Sequence, residues 1–346
     1  MTESLQTLQT QAGATFAPDS TIPQSFGNDA VAFAGAETEA ILCDRSHWSL
    51  LEVTERDRLQ FLHNQTTNDL KTLQPGQSCQ TVFINSTART LDLATVYITP
   101  DSVLLLLSPG QAEPLVQWLD RYLFPMDKVK IRDLSAEIAC FTLIGAKSDQ
   151  ILQKANLTPP EAHHHLIPFQ DSQIRLATGS GFTLPGYTLI APQSHAAELW
   201  STLHQAGAIP AGETVWEQRR IQQGRPRPGC ELTEDYNPLE AGLVRAISFS
   251  KGCYIGQETI ARLNTYQGVK QRLWGVRLNA LVDPETIVTL NGSKVGILTS
   301  IADTPDGILG LAYIRSKAGG EGLTVQIENA EAEVVSVPFL SHEYHT

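Results

Sequence analysis

The chain has 346 residues, more than one hydrophobic core usually organises, so two or three domains are expected. Hydrophobic residues make up 42% and charged residues 18%, a balance that excludes a disordered chain. A formal net charge of −12 and a pI of about 5.2 oppose long-range attraction to nucleic acid or an anionic membrane, so neither is expected as a direct partner.

Residues 1–27 are rich in Gln, Thr, Ser and Ala and read as a flexible lead or a short surface helix. No basic residue precedes Arg45, which argues against a secretory signal or a transit peptide. Residues 41–49 are followed by strand text at 50–53. Thr54 and Asp57 then read as a capping box opening a helix whose inner face carries Leu59, Phe61 and Leu62. Pro75-Gly76 marks a turn, after which 80–84 and 91–98 alternate as paired strands. The run at 103–107 extends that sheet and is too short to span a bilayer, which needs roughly 20 residues. Residues 111–124 read as a helix. These features predict a cytoplasmic monomer.

A second unit starts near Val129. Strand text at 138–145, a helix at 148–155, strands at 165–169, 174–177 and 186–190 and a helix at 194–205 predict a ferredoxin-like α+β layer. From Glu213 the chain is helical, then loop-rich through Glu258. Beyond Arg272, short apolar alternations separated by Asn291-Gly292, Pro305-Asp306-Gly307 and Gly319-Gly320 predict a small antiparallel β-barrel. The fold class expected is α+β in three domains: 28–128 together with 210–265, then 129–209, then 270–346.

The most pointed segment is Lys251-Gly252-Cys253-Tyr254-Ile255-Gly256-Gln257-Glu258. Lys251 and a helix start near Gln257 both favour a thiolate at Cys253, the form that attacks electrophiles and binds metal. Glu258 and Arg262 are spaced to pair along that helix. The alternative is a buried, inert cysteine in a Gly-rich turn joining two domains. The five cysteines, Cys43, Cys79, Cys140, Cys230 and Cys253, form no C-x-x-C pair, which argues against a disulfide framework and against a zinc knuckle. His163-His164-His165 reads as a loop or the start of a strand, because side chains alternate in direction along an extended chain. Arg219, Arg220, Arg225, Arg227, Arg245, Lys251 and Arg262 concentrate basic charge in an acidic chain. They suit ligand carboxylates, or equally internal pairs with Glu217, Glu231, Glu234 and Asp235. Trp216, Trp274 and Tyr254 can supply a stacking face or simply core.

The octapeptide 251–258 resembles the K-G-C-Y-x-G-Q-E signature of the YgfZ-type folate-binding proteins, relatives of the glycine-cleavage T-protein. Asp44-Arg45-Ser46-His47, Thr67-Asn68-Asp69, Arg225-Pro226-Arg227-Pro228-Gly229 and Asn237-Pro238-Leu239-Glu240-Ala241-Gly242-Leu243 are similar to the same pattern. The resemblance covers roughly 30–275 by motif and the C-terminal barrel by architecture. It implies three domains around a central opening that holds tetrahydrofolate or another reduced folate, near Asp92, Arg220, Arg225 and Glu240. Cys253, at the rim of that opening, would be the reactive residue with Lys251 and Asp92, and Tyr254, Gln257 and Glu258 would complete the folate contacts. It further implies support of iron–sulfur cluster assembly or repair, with partners such as tRNA methylthiolation enzymes.

Two departures from the T-protein pattern stand out. Its Gly-Gly turn and paired aspartates are replaced by Ser86-Thr87-Ala88-Arg89 and Asp92 alone, and its pterin-reading glutamate by Leu184, which cannot accept the pterin's N–H groups. A tetrahydrofolate-dependent aminomethyl- or methyltransferase is the rival expectation, and a non-catalytic interaction scaffold the next.

Overall fold

The computed structural model describes residues 3–345. Of the two readings of residues 1–27, a flexible lead or a short surface helix, the structure has a short helix, and it is tied down. Ser4 Oγ accepts from the Thr7 amide at the start of the Leu5–Gln11 helix, and Gln9, fully buried, donates to Asp44 Oδ2 at 2.7 Å. A buried amide bonded to a buried carboxylate fixes this helix on the body of the protein.

Five antiparallel strands form the first sheet, in the order Ser78–Ile84, Thr90–Ile98, Ser102–Leu107, Ser49–Thr54, Lys130–Asp133. All six residues of Ser102–Leu107 are buried, because both faces of this central strand are covered. On one face Leu51, Leu105 and Leu107 meet Leu62, Leu115 and Leu119 of the helices Arg58–Gln65 and Ala112–Asp120. The first of these helices starts later than the capping box predicts. Thr54 ends a strand, Glu55 turns the chain at φ +76°, and Asp57 Oδ2 accepts from the Lys128 amide.

The second sheet has the order His164–Phe169, Ser172–Thr178, Gly186–Pro192, Ile138–Ile144, Ile41–Asp44, Ile209–Ala211. Its last pair is parallel and the others antiparallel. The expected strand and helix text of 138–205 is there, but the sheet also takes Ile41–Asp44 and Ile209–Ala211 from outside 129–209. Ile41–Asp44 pairs across Phe141–Ile144, so the strand read with the opening unit crosses to the other sheet. Helices Ser148–Lys154 and Ala196–Gln205 cover its outer face. Its inner face, through Ile41, Cys43, Cys140 and Ile190, packs on Leu50, Tyr97, Leu104 and Leu106 of the first sheet.

Residues beyond 270 close a six-stranded antiparallel barrel, Gln271–Leu278 to Ala330–Val335, with the apolar alternation turned inward. The helix Glu213–Gln223 leans on this barrel and ends at Gly224, φ +82°, where a Cβ would lie 2.3 Å from Val337. No helix among the described residues is long and apolar enough to cross a membrane.

Candidate functional site

Between the two sheets lies a cavity of about 260 Å³, walled by Arg45, Trp48, Tyr97, Phe182, Trp216 and Arg225. Arg45 and Trp48 flank the sharp turn between Ile41–Asp44 and Ser49–Thr54, and Trp216 comes from the helix Glu213–Gln223. Trp48 and Trp216 meet edge-to-face at 5.7 Å, and Phe182 lies 4.4 Å from Trp216. The Arg45 guanidinium stacks on Trp216 at 3.9 Å, while that of Arg225 lies 5.3 Å from the Trp48 ring. Cys79 and Cys140 also line the cavity, but burial pushes both thiols up to about 12, so they are uncharged.

The same Arg45, Trp48, Trp216 and Arg225 form the wall of an adjoining chamber of about 440 Å³ that also carries His47, Glu213 and Glu217. Arg45 pairs with Glu213 and contacts His47 Nε2 at 3.3 Å. Burial first, then Arg45, pulls His47 down to about 3, leaving it neutral. Arg225 is 3% exposed, and among the described residues its guanidinium donates only to the Gly181 carbonyl, at 2.8 Å; burial pulls its pKa down to about 10. Arg45 Nε, His47 Nδ1 and the Trp48 indole N–H are buried with no partner among the described residues. Two guanidinium groups set among aromatic faces suit a planar, anionic ligand.

Of the other predicted residues only Arg220 also lines the adjoining chamber among the described residues; the rest lie outside both openings. Asp92 is 1% exposed and accepts from the amides of Leu93 and Ser108 and from Ser108 Oγ at 2.7 Å. Burial raises it to about 6 despite these donors. It lines a separate cavity with Gln111, Trp118 and Gly229. Arg220 is saturated: Glu217 takes it bidentately at 2.7 Å, and Glu231 Oε2, Ser300 Oγ and the Arg225 carbonyl take the rest. Burial opposes its charge, but Glu231 and Glu217 outweigh that and hold its pKa above the usual value. It therefore joins helix, loop and barrel. Glu240 accepts from the Asn237 amide and faces Arg89 at 3.6 Å, with burial raising its pKa.

The signature loop lies elsewhere again. Lys251 Nζ donates to the carbonyls of His63, Thr66 and Asn68 at 2.6, 2.7 and 2.7 Å, closing the C-terminal end of the Arg58–Gln65 helix. Its charge thus serves these carbonyls. Tyr254 is buried in a cluster with Ile84 and Ile260, and burial pushes its hydroxyl up to about 12. Cys253 is exposed in a cleft of about 430 Å³ with Gln60, His63 and Asp69, rather than on the rim of the aromatic cavity. Gly256, φ +76°, lets the loop approach Asn85, whose carbonyl would lie 2.9 Å from any Cβ. Gln257 opens the helix Gln257–Thr265, where Glu258 and Arg262 are exposed and form no pair among the described residues.

Sequence reading thus found Arg225 and Trp216 but not Arg45, Trp48, Tyr97 or Phe182. Arg45 did carry a signal, as the first basic residue of the chain inside a recognisable motif. The other three are aromatics that alternation assigns to core. Of the remaining stacking candidates, Trp274 lies in the barrel against His342.

Residues 21–251 match the family described as the GCVT N-terminal domain. A protein of Arabidopsis thaliana, provisionally named a chloroplastic transferase, is 41% identical over 330 residues, covering 93% of this chain and 76% of that one. An aminomethyltransferase of Caldanaerobacter subterraneus subsp. tengcongensis is 30% identical, covering 86% of this chain and 83% of its own. The crystal structure of glycine cleavage system aminomethyltransferase T from Bartonella henselae superposes with a TM-score of 0.86 at 21% identity, covering 100% of both chains; at that identity the likeness is one of fold.

Proposed function

The chain belongs to the GCVT N-terminal domain family and is similar to aminomethyltransferases, and from that membership we propose that it binds a reduced folate in the cavity walled by Trp48, Tyr97, Phe182 and Trp216 and transfers a one-carbon unit carried by it. One observation carries the reading: the guanidinium groups of Arg45 and Arg225, the latter with a single side-chain hydrogen bond among the described residues, line the cavity beside an aromatic wall. A pterin is planar and rich in acceptors, and the glutamyl carboxylates of folate are matched by guanidinium groups. The adjoining chamber offers Arg45 and Arg225 to such a tail on its second side. Within this reading Asp92, neutral below about pH 6, positions the Ser108 turn that borders the same chamber.

Titration with tetrahydrofolate, followed by tryptophan fluorescence, tests the binding. Saturable quenching in the wild type that is lost in Trp48→Leu supports it; no quenching removes it. Formation of methylenetetrahydrofolate from an aminomethyl donor then tests the transfer.

A second reading rests on Cys253. An exposed thiol in the signature loop, outside the aromatic cavity, favours a YgfZ-type accessory role in assembling or repairing iron–sulfur proteins such as tRNA methylthiolation enzymes. Complementation of a host lacking its own homologue, with wild type against Cys253→Ala at equal protein level, separates it from the first. Loss of iron–sulfur enzyme activity with Cys253→Ala alone supports the accessory role, and equal rescue by both proteins rejects it.

A further inference from the structure

A second opening between the two sheets, of about 820 Å³, lies on the far side of Tyr97 from the aromatic cavity. Its walls are mainly apolar: Leu50, Leu104, Leu134, Ile138, Leu166 and Ile190. One cation stands in it, and its orientation is fixed. Arg175 Nη1 donates to His164 Nδ1 at 2.7 Å, and His164 Nε2 donates to the Gln77 carbonyl at 3.2 Å. His164 is 2% exposed, and burial, then the Arg175 charge, holds it neutral, so Nδ1 is free to accept. The Tyr97 ring packs edge-on against the imidazole at 5.2 Å and completes the support.

Arg175 has no carboxylate partner among the described residues, and burial pulls its pKa below the usual value. Three acids line the opening, Glu52, Asp101 and Glu137, and none pairs with Arg175 among the described residues: Glu137 pairs with Arg132, Glu52 acts on the same Arg132, and Asp101 sits exposed at a turn tip. A half-buried guanidinium with no carboxylate in contact, on a wall that is mainly apolar, is open to a direct ion pair with a ligand carboxylate.

We propose that this groove is a binding site for a small carboxylic acid with an apolar body, its carboxylate on Arg175 and its hydrocarbon along Leu104, Ile138 and Ile190. The site is separate from the folate cavity and does not depend on that reading. His164 acts as a positioning residue, holding the guanidinium fork toward the groove.

The test is calorimetric titration of the intact protein with octanoate, with octanamide as the uncharged probe of the same shape. Wild type should bind octanoate saturably and octanamide about tenfold or more weaker, the size expected when a charge-assisted hydrogen bond is lost. Arg175→Met should weaken octanoate by a similar factor. Leu166→Glu, at a half-exposed position on the groove wall, should do the same by placing a like charge beside the carboxylate. Circular dichroism confirms that both variants fold. Absence of saturable binding by wild type overturns the proposal. So does equal affinity for the two probes, or an unchanged octanoate affinity in folded Arg175→Met and Leu166→Glu.

Discussion

The ammonium of Lys251 lies 2.6 Å from the main-chain carbonyl of His63, with two further carbonyls completing its shell. An ammonium has three donors, and three carbonyls at the end of one helix converge on them. The lysine of the signature therefore anchors the loop that presents Cys253, 188 residues away from its anchor in the chain.

Replacing Lys251 by Met should cost roughly 3 kcal/mol of stability, since charge-assisted bonds are lost and buried carbonyls are left unmet. Arg should not restore it, because a planar guanidinium cannot point at three converging oxygens. Cys253→Ser, at an exposed position, should stay within about 0.5 kcal/mol of wild type. Urea denaturation of the three variants measures all of this.

Asp92 gives a defined pH dependence. Its carboxyl titrates near pH 6 when folded, against an ordinary value of 3.8, so the folded state holds the proton more tightly. Between these pH values the folded chain binds more protons than the unfolded one, and stability falls as pH rises. The fall amounts to roughly 3 kcal/mol and is complete above about pH 6. Asp92→Asn should flatten the stability curve across that window, which thermal melts at stepped pH would show.

Arg225 should link folate to stability. A ligand at 100 times its dissociation constant raises unfolding free energy by about 2.7 kcal/mol. Tetrahydrofolate should therefore raise the melting temperature of wild type but not of Arg225→Met. An equal rise in both would place the folate away from Arg225.

Arg220 and Glu231 form a buried pair, 2% and 0% exposed. Arg220→Met leaves the Glu231 charge unmatched and should destabilise by about 3–5 kcal/mol. Adding Glu231→Gln removes that charge and should recover part of the loss, a non-additivity that a double-mutant cycle reads directly.

The order of helices and strands was legible in the sequence because alternation and turn residues report local structure, and the barrel was announced by Asn291-Gly292 and Pro305-Asp306-Gly307. The transfer of Ile41–Asp44 to the other sheet was not legible, since its apolar text suits either sheet. The capping box misled because Asp57 had a competing partner in Lys128, distant in sequence. The candidate site divided likewise. Arg220, Arg225 and Lys251 look alike as basic residues, yet only packing shows that two of them are saturated by the protein while Arg225 faces a cavity. Trp48 and Phe182 could not be told from core, because stacking walls and cores use the same residues.

The parallel pairing of Ile209–Ala211 with Ile41–Cys43 has a bearing on biosynthesis. A ribosome adds roughly 5–20 residues each second, so the strand at Ile41 emerges on the order of ten seconds before its edge partner exists. Until then its free edge is open to pairing with a neighbouring nascent chain. A message cut or stalled before codon 211 would release a product whose second sheet cannot be completed, and such fragments should go to chaperones or proteases instead of persisting as half-sized proteins.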